Sequence, residues 1–305
     1  MKVIAIGETV YDIIFGQDKA PKYGNAGGSA YNAIISVGRM GRCESRFIGE
    51  VGDDTVGHLI VDFLRENGVD ATGVSIREGI KTSLSLAFLD EKCNAHYQFY
   101  KDHNSKGFDY TEPGAKRGDV MLFGSYFAIN PRINATFREI VSKAKEEGAM
   151  LYYDLNFRES HKGELEELRA NIEWNMDVSH IVKASDEDIE IVFGSRDPKE
   201  VYEKHIRRHC DIFICTKGGA GVEVFVGDRH IEYAGNPLAK EEIVSTVGAG
   251  DSFNAGFIGN GENEVLIKKI LGKDRAIEEE IGTAVRHGME TARRVCMSAL
   301  NYIEK

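Results

Sequence analysis

Buried strands and amphipathic helices alternate along most of this chain of 305 residues. Short apolar runs, such as VMLFGS from Val120 and MLYYDLN from Met150, are each followed by a segment whose apolar residues recur at helical spacing. Alternation of this kind is typical of a mostly parallel sheet with helices on both faces. The sequence therefore predicts an α/β fold with a doubly wound, mostly parallel sheet.

One region interrupts this rhythm. The segments TSLSLAFLD and AHYQFYK, between residues 81 and 101, flank the turn-like EKCN and predict a β-hairpin. Near the N-terminus, YDIIFG at residues 11–16 predicts a second short strand, and the following KAPKYGNAGGS is rich in turn residues. We expect that segment to be a loop over a site.

Composition limits the possible partners and compartment. Lys and Arg number 38 against 49 Asp and Glu, a net charge of -11 that is mixed along the chain, so neither nucleic acid nor an anionic membrane is an expected partner. The five cysteines are scattered without CxxC spacing, which favours a reducing, cytoplasmic setting. No apolar stretch approaches the roughly 18 residues of a membrane span.

Polar residues directly follow several predicted strands. They are Gly7-Glu8, Asp154-Leu155-Asn156, Lys183-Ala184-Ser185-Asp186 and Thr216-Lys217-Gly218-Gly219. Ligands of open α/β sheets bind outside the carboxyl ends of the strands. We therefore expect these residues to gather along one sheet edge.

The stretch VSTVGAGDSFNAGF, residues 244–257, runs from a glycine-rich loop into a predicted helix. Neither a P-loop nor a dinucleotide fingerprint occurs in the chain. Asp251 could simply cap the helix. Alternatively, the backbone N–H groups of Gly248, Ala249 and Gly250 could form an anion hole for a phosphoryl group, with Asp251 orienting or deprotonating an alcohol. The residues alone leave both interpretations open.

Two motifs together carry a family resemblance. NAGGSAYNAIISVGRMG at residues 25–41 and VSTVGAGDSFNAGF resemble the N-terminal and C-terminal signatures of the ribokinase/pfkB family of carbohydrate kinases. The resemblance implies one ribokinase-like domain over residues 1–305, with a small β-strand lid at about 10–16 and 81–103. It also implies phosphoryl transfer from ATP to a sugar with Mg²⁺ as the divalent ion.

The resemblance further implies roles for individual residues. Asp251 is expected to be the catalytic base, with the anion hole as above. The residues expected to bind the substrate are Asp12, Gly27, Gly28, Asn32, Lys101, Asn156 and Arg158. Those expected to bind ATP are Ser185, Thr216, Gly218, Gly219, Gly221 and Asn254. Asp188 occupies the acidic position of a metal-associated element and is expected to act through water.

Within the family, fructokinases are the nearest likeness. The segments LFGSYFAI, DLNFR, KASDEDIEIVFG and YQFYK resemble fructokinase stretches at corresponding places, which implies phosphorylation of a primary hydroxyl of a small sugar, with fructose as the leading candidate. Lys101 stands where such lids usually carry arginine, and Ser245 stands where many relatives have an aspartate of a potassium site. The alternatives are a 2-keto-3-deoxygluconate kinase, a ribose or nucleoside kinase, and a non-catalytic sensor. Potassium dependence stays open.

Two further expectations concern the rest of the chain. Tyr97, Phe99 and Tyr100 lie on a predicted lid strand, and exposed apolar lid strands favour self-pairing, so a homodimer through the lid is expected. Trp174 and the nine histidines show no ligand spacing and are interpreted as packing or surface residues.

Overall fold

The computed structural model describes residues 1–89, 95–101 and 107–305. Its strands, in chain order, are β1 (Lys2–Ile6), β2 (Val10–Phe15), β3 (Pro21–Gly27), β4 (Glu44–Gly52), β5 (Asp70–Arg77), β6 (Leu84–Leu89), β7 (Ala95–Tyr100), β8 (Val120–Gly124), β9 (Met150–Asp154), β10 (Ile181–Ser185), β11 (Ile212–Thr216), β12 (Gly221–Val226) and β13 (Arg229–Ala234). Its α-helices are α1 (Ser29–Met40), α2 (Thr55–Glu66), α3 (Ser125–Ile129), α4 (Asn134–Glu146), α5 (Leu165–Val178), α6 (Asp186–Phe193), α7 (Pro198–Val201), α8 (Ala249–Ile258), α9 (Glu264–Leu271) and α10 (Glu278–Cys296).

The larger of two sheets has nine strands in the order β13-β12-β11-β10-β9-β8-β1-β4-β5. From β11 to β5 every neighbouring pair is parallel, whereas β12 runs antiparallel to both of its neighbours. The predicted α/β fold with a mostly parallel sheet is confirmed. Helices divide between its two faces, because α1, α2, α8, α9 and α10 contribute to one apolar cluster and α4, α5 and α6 to the other.

Strand β1 shows why both faces are covered. Its side chains alternate, so that Val3 and Ala5 join one cluster while Ile4 and Ile6 join the other. All four are fully buried. A strand that is apolar at every position is stable only where helices shield both of its sides. A continuous apolar run is therefore the sequence signature of a strand in a parallel sheet.

The smaller sheet has four strands in the order β3-β2-β6-β7. The predicted hairpin is present, since β6 and β7 pair antiparallel, and β2 adds to it in parallel with β6. The predicted turn EKCN, residues 91–94 with Cys93, lies outside the described residues, as do residues 102–103 of the predicted lid.

The turn-rich segment after β2 was expected to be a loop, and this expectation is wrong. Most of it forms β3, which pairs antiparallel with β2, so that Ile13 lies opposite Gly24 and Asp12 opposite Asn25. Composition favours turns here, but hydrogen bonding to a neighbouring strand compensates for low β propensity. As a result the segment joins the small sheet to the start of α1.

At the diglycine Gly27-Gly28, where β3 leads into α1, the backbone comes into close contact with the backbone of Glu8. Gly28 has φ 126°, and a Cβ built there would lie 2.3 Å from the carbonyl oxygen of Glu8. A side chain at this position would be both strained and obstructed. The glycine thus lets the small sheet approach the carboxyl end of β1.

Across the described ranges, no helix combines the length and the apolar character needed to cross a membrane.

Candidate active site

Helix α8 begins without a side-chain cap. Its N-cap residue, Gly248, has φ 80° and provides no side-chain hydrogen bond, while Asp251 lies inside the first turn and is only 6% exposed. The interpretation of Asp251 as a helix cap is therefore wrong. First-turn amides have no carbonyl partner within their own helix, so this turn keeps donors for an anion.

The Asp251 carboxylate is held by the other signature motif. Ser29 Oγ donates to Asp251 Oδ1 at 2.7 Å, and Asn32 Nδ2 donates to Asp251 Oδ2 at 2.9 Å. Asn156 Nδ2 in turn donates to Ser29 Oγ at 2.8 Å. The Asp251 carboxylate therefore lies where the first turn of α1, the first turn of α8 and the loop after β9 meet. The positive ends of both helix dipoles lie next to it.

Several groups influence the ionisation of Asp251. Burial raises the pKa of its carboxyl above the ordinary value; hydrogen bonds from Asn32 and Ser29 and the charge of Arg158 oppose that shift, and the charge of Asp154 adds to it. A raised pKa brings a carboxylate closer to the range in which it accepts a proton from a reacting group. This buried carboxylate has the environment of a general base.

Three predicted sugar contacts converge where the small sheet meets α1. A Cβ built at Gly27 would lie 2.8 Å from Asp12 Oδ2 and 3.9 Å from Asn32 Oδ1, so these two oxygens flank the same bare backbone. Asn32 Oδ1 is buried and has no hydrogen-bond partner among the residues that the structure describes. A buried acceptor without a partner is costly unless a ligand supplies a donor.

Asp12 has a strongly perturbed carboxyl. Burial raises its pKa to about 6, and the Ser85 side chain, next to it on β6, only partly opposes the shift. A carboxyl that titrates near neutrality beside an unpartnered amide oxygen is typical of a functional site.

The other predicted substrate residues are more exposed. Lys101 Nζ lies 2.7 Å from Glu8 Oε2, a contact that joins the end of β7 to the loop after β1. Arg158 is exposed and acts on Asp251 through its charge. Lys101 thus helps to seat the small sheet over the core.

A cavity of about 460 Å³ lies on the other side of the α8 N-terminus. Thr216, Gly218, Gly219 and Gly221, all predicted from the sequence, line it together with Gly250 of the predicted anion hole. A cavity of this size lies within the range of about 300–1,000 Å³ that is usual for small-ligand sites. The glycine loop and the predicted anion hole therefore share one compartment.

The apolar part of this cavity was missed by the sequence analysis. Pro237, Leu238 and Ile243 come from the connection between β13 and α8, and Met289 comes from α10. Pro237 lies 3.1 Å from the position of a Cβ built at Gly219. No local periodicity marks these residues, because they come from distant segments that meet only in the fold.

Two residues predicted to bind ATP have structural partners instead of lining the cavity. Asn254 is 1% exposed; its Nδ2 donates to Asp154 Oδ2 at 2.6 Å, and its Oδ1 accepts from the Tyr152 hydroxyl at 3.1 Å. Ser185 is the N-cap of α6 and forms a capping box with Asp188. The structure thus gives both side chains a role in holding backbone and neighbouring groups.

Asp188, the predicted metal-associated acid, is also fully engaged. Its Oδ1 accepts from the Phe157 amide at 2.8 Å, and its Oδ2 accepts from the Ser185 amide at 2.7 Å. Burial raises the pKa of its carboxyl. Contact with a metal ion through water, as expected from the sequence, stays a prediction.

A buried ion pair beneath the site was not assigned a role by the sequence analysis. Lys183 Nζ lies 3.1 Å from Asp154 Oδ1, and the two side chains are 4% and 2% exposed. Both residues directly follow apolar strand positions, and a lysine inside an otherwise apolar strand was the available signal.

One histidine is grouped with carboxylates despite the absence of ligand spacing in the sequence. Glu223, His230 and Glu232, on β12 and β13, place ligand atoms within 4.8 Å of one another. The Lys217 ammonium group pairs with Glu223, and His230 Nε2 lies 2.8 Å from the other Glu223 oxygen. These contacts account for the group as a network of ion pairs and hydrogen bonds around Glu223.

Fold and site together define a class of enzyme. A buried carboxylate stands at a glycine-rich helix start that lines a cavity of about 460 Å³, and it is held by Ser29 and Asn32 of the helix that follows the small sheet. This is the arrangement of a phosphotransferase that activates an alcohol.

The comparisons identify the family. The pfkB family carbohydrate kinase domain matches residues 1–294, so the chain belongs to the pfkB family and is a carbohydrate kinase. Fructokinase-1 of Zea mays is 30% identical over 262 residues, which cover 82% of this chain and 80% of that protein.

Solved structures share the fold. Fructokinase from Vibrio cholerae O395, in a form with bound fructose, ADP and calcium ion, matches with a TM-score of 0.80 at 20% identity, covering 98% of this chain and 93% of that one. Aminoimidazole riboside kinase from Salmonella enterica, complexed with aminoimidazole riboside and an ATP analog, matches with a TM-score of 0.79 at 19% identity, covering 98% and 94%. The ribokinase-like fold expected from the sequence is confirmed.

Proposed function

We propose that this carbohydrate kinase transfers the γ-phosphoryl group of ATP to a primary hydroxyl of fructose. The observation that carries the proposal is the Asp251 carboxylate, which is fixed by Ser29 and Asn32; Asn32 also lies with Asp12 beside the bare backbone of Gly27. The resemblance to proteins named fructokinase supports fructose as the acceptor. We also assign the protein to the cytoplasm, which suits the free thiols of its four described cysteines.

In the proposed reaction, Asp251 accepts the proton of the sugar hydroxyl while the oxygen of that hydroxyl forms a bond to the γ-phosphorus of ATP. The bond between that phosphorus and the bridging oxygen of ATP breaks, and ADP leaves with the electron pair. Amides at Gly248, Ala249 and Gly250 are assigned to the charge that develops on the phosphoryl oxygens. The Ala249 amide also lies 3.3 Å from Thr246 O, so the hole depends on the shape of the preceding loop.

We assign sugar hydroxyls to Asp12 and Asn32, with Gly27 and Gly28 providing an unobstructed backbone surface. Asn156 orients Ser29, and the exposed guanidinium of Arg158 is available to a sugar or phosphate group. Because the small sheet carries Asp12 and is joined to the core through Lys101, we identify β2, β3, β6 and β7 as the lid of a single domain.

Mg²⁺ is the proposed divalent ion, and when bound it would neutralise charge on the phosphates of ATP. The chain offers no unoccupied carboxylate oxygen at Asp188, so we assign its contact with the ion to intervening water. We leave a monovalent ion unassigned at Ser245.

A substrate panel tests the proposal. ADP release with ATP and Mg²⁺ would be measured against fructose, 2-keto-3-deoxygluconate, ribose, tagatose and adenosine. Preferred turnover of fructose supports the proposal, and preference for another acceptor replaces fructose while keeping the kinase. Absence of turnover with any acceptor, together with measurable sugar binding, would favour a sensor.

Sugar binding is expected to weaken in acid because of Asp12. With a pKa of about 6, most Asp12 carboxyls are ionised at neutral pH, and lowering the pH to about 5 protonates about nine in ten. A protonated carboxyl loses the charge that strengthens hydrogen bonds from hydroxyls. We therefore expect the Kd for fructose to rise about tenfold between about pH 7 and about pH 5.

Calorimetric titration in an Asp251→Asn background would measure this effect without titration of the base. Adding Asp12→Asn should weaken binding at neutral pH and remove the pH dependence. A steep dependence that survives Asp12→Asn would assign it to another group.

We further propose a homodimer formed through the lid. Phe99 and Tyr100 on β7 are 60% and 56% exposed, and Tyr23 on β3 is 50% exposed. These rings lie on the two outer strands of the small sheet, where exposed apolar side chains favour pairing with a second copy. Sedimentation at micromolar concentration should give the mass of two chains, and Phe99→Glu should give one; a monomeric unsubstituted protein would contradict the proposal.

A further inference from the structure

The buried ion pair under α8 lies close to the reacting groups. A Cβ built at Gly250 would lie 3.3 Å from Lys183 Nζ, so the ammonium group sits directly behind the first turn of α8. Asp154 Oδ1 and Oδ2 lie 3.1 and 3.3 Å from that nitrogen. Asp154 Oδ2 also accepts from Asn254 Nδ2, which belongs to α8. The pair is thus joined to the helix that carries Asp251.

The charges in this region do not cancel. Asp154, Asp188 and Asp251 are all buried, whereas Lys183 is the one buried ammonium or guanidinium group among the described residues around them. Lys183 keeps its proton despite burial, because the charges of Asp154, Asp188 and Asp251 raise its pKa. Transfer of a phosphoryl group would bring further negative charge to the other side of Gly250. An uncompensated charge in such a place is costly.

We propose that Lys183 is a positioning residue of the kinase reaction: held by Asp154 behind Gly250, its ammonium group orders the first turn of α8 and offsets the negative charge that gathers at the anion hole. This inference rests on the proposed function. It assigns a purpose to a buried lysine that the proposed reaction does not otherwise use. It also explains why Asn254 is tied to Asp154 and lies outside the nucleotide cavity.

The test compares variants of Lys183, and one control variant, with the unsubstituted protein. Lys183→Met removes the charge and keeps most of the stem, and Lys183→Met with Asp154→Asn removes both charges, which avoids leaving an unpaired buried carboxylate. Lys269→Met is the matched control, because Lys269 forms a half-buried ion pair with Glu280 on the α9–α10 surface. Folding would be checked by circular dichroism and thermal unfolding.

Both Lys183 variants are expected to lower kcat about 10²-fold, the scale for loss of one group that stabilises a developing anion, while the Kd values for sugar and ATP stay within a few-fold. In Lys183→Met the acid limb of the kcat/KM profile should move to higher pH, since a positive charge near Asp251 is lost while Asp154 keeps its charge. The other groups that face Asp251 are unchanged in Lys183→Met: Asp154 of β9, Arg158 after β9, and the neutral Ser29 and Asn32 of α1.

A merely structural role gives a different result. If the folded double variant keeps kcat within threefold and the acid limb of Lys183→Met stays in place, the inference is overturned even when the Tm falls. A partial return of kcat in Lys183→Arg would support the role of charge. Failure of the unsubstituted protein to turn over any acceptor would instead count against the proposed function.

Discussion

The Asp251→Asn variant is expected to lose at least about 10³-fold in kcat, within the range of about 10²–10⁴ that general base catalysis contributes. The substitution keeps the size of the side chain and removes its capacity to take the proton of the sugar hydroxyl. Sugar and ATP should still bind, since Asn32 and the lid residues are unchanged. The measurement is ADP release under saturating conditions, with fructose binding followed separately by calorimetry.

The variant is not expected to fail by unfolding. Burial raises the pKa of Asp251 in the folded chain, so between the unfolded and folded pKa the folded state binds more protons and stability falls as the pH rises. At neutral pH the ionised carboxylate therefore lowers the free energy of unfolding, and a neutral amide does not. We expect no decrease in Tm.

Asp62→Asn provides a matched control, because Asp62 is an exposed helix carboxylate that pairs with Arg65. It makes the same chemical change away from the site and should leave kcat unaltered. Near-normal turnover by folded Asp251→Asn would remove Asp251 from the role of base.

The Gly248→Ala variant is expected to lower kcat about 10²-fold, comparable with the loss of an anion-hole donor. Gly248 has φ 80°, and a Cβ built there would lie 2.2 Å from the backbone carbonyl oxygen of Asn301. Since backbone cannot move aside as a flexible side chain can, the loop before α8 must shift and carry the first-turn amides with it. Thermal stability should also decrease.

Gly41→Ala separates this obstruction from backbone strain alone. Gly41, the C-cap of α1, has φ 63°, but a Cβ built there meets nothing within 4 Å. It should cost about 1 kcal/mol of stability without changing kcat. Equal loss of kcat in both variants would show that the crowding at Gly248 is not what maintains the anion hole.

Local sequence patterns accounted for most of the elements that build the core. The alternation of apolar runs with helical periodicity predicted the parallel sheet, because burial on both faces requires apolar residues at every strand position. Strand β3 was missed, since its turn-rich composition is compensated only by pairing with β2. Predictions from composition cannot include a hydrogen-bonding partner supplied by another segment.

The motifs also indicated the candidate site residues, whose assigned roles stay predictions. The sequence by itself determined the fold class and the family, and it placed a carboxylate at a glycine-rich helix start, because these depend on local periodicity and on short motifs.

Only the tertiary structure decided that this carboxylate does not cap its helix, and which groups surround it. Asp251 forms no cap, and its partners Ser29 and Asn32 are 222 and 219 residues away. The apolar wall with Pro237 and Met289 and the Asp154–Lys183 pair likewise join segments far apart in the chain. Burial, charge balance and cavity shape arise when distant strands and helices pack together, so no local pattern contains them.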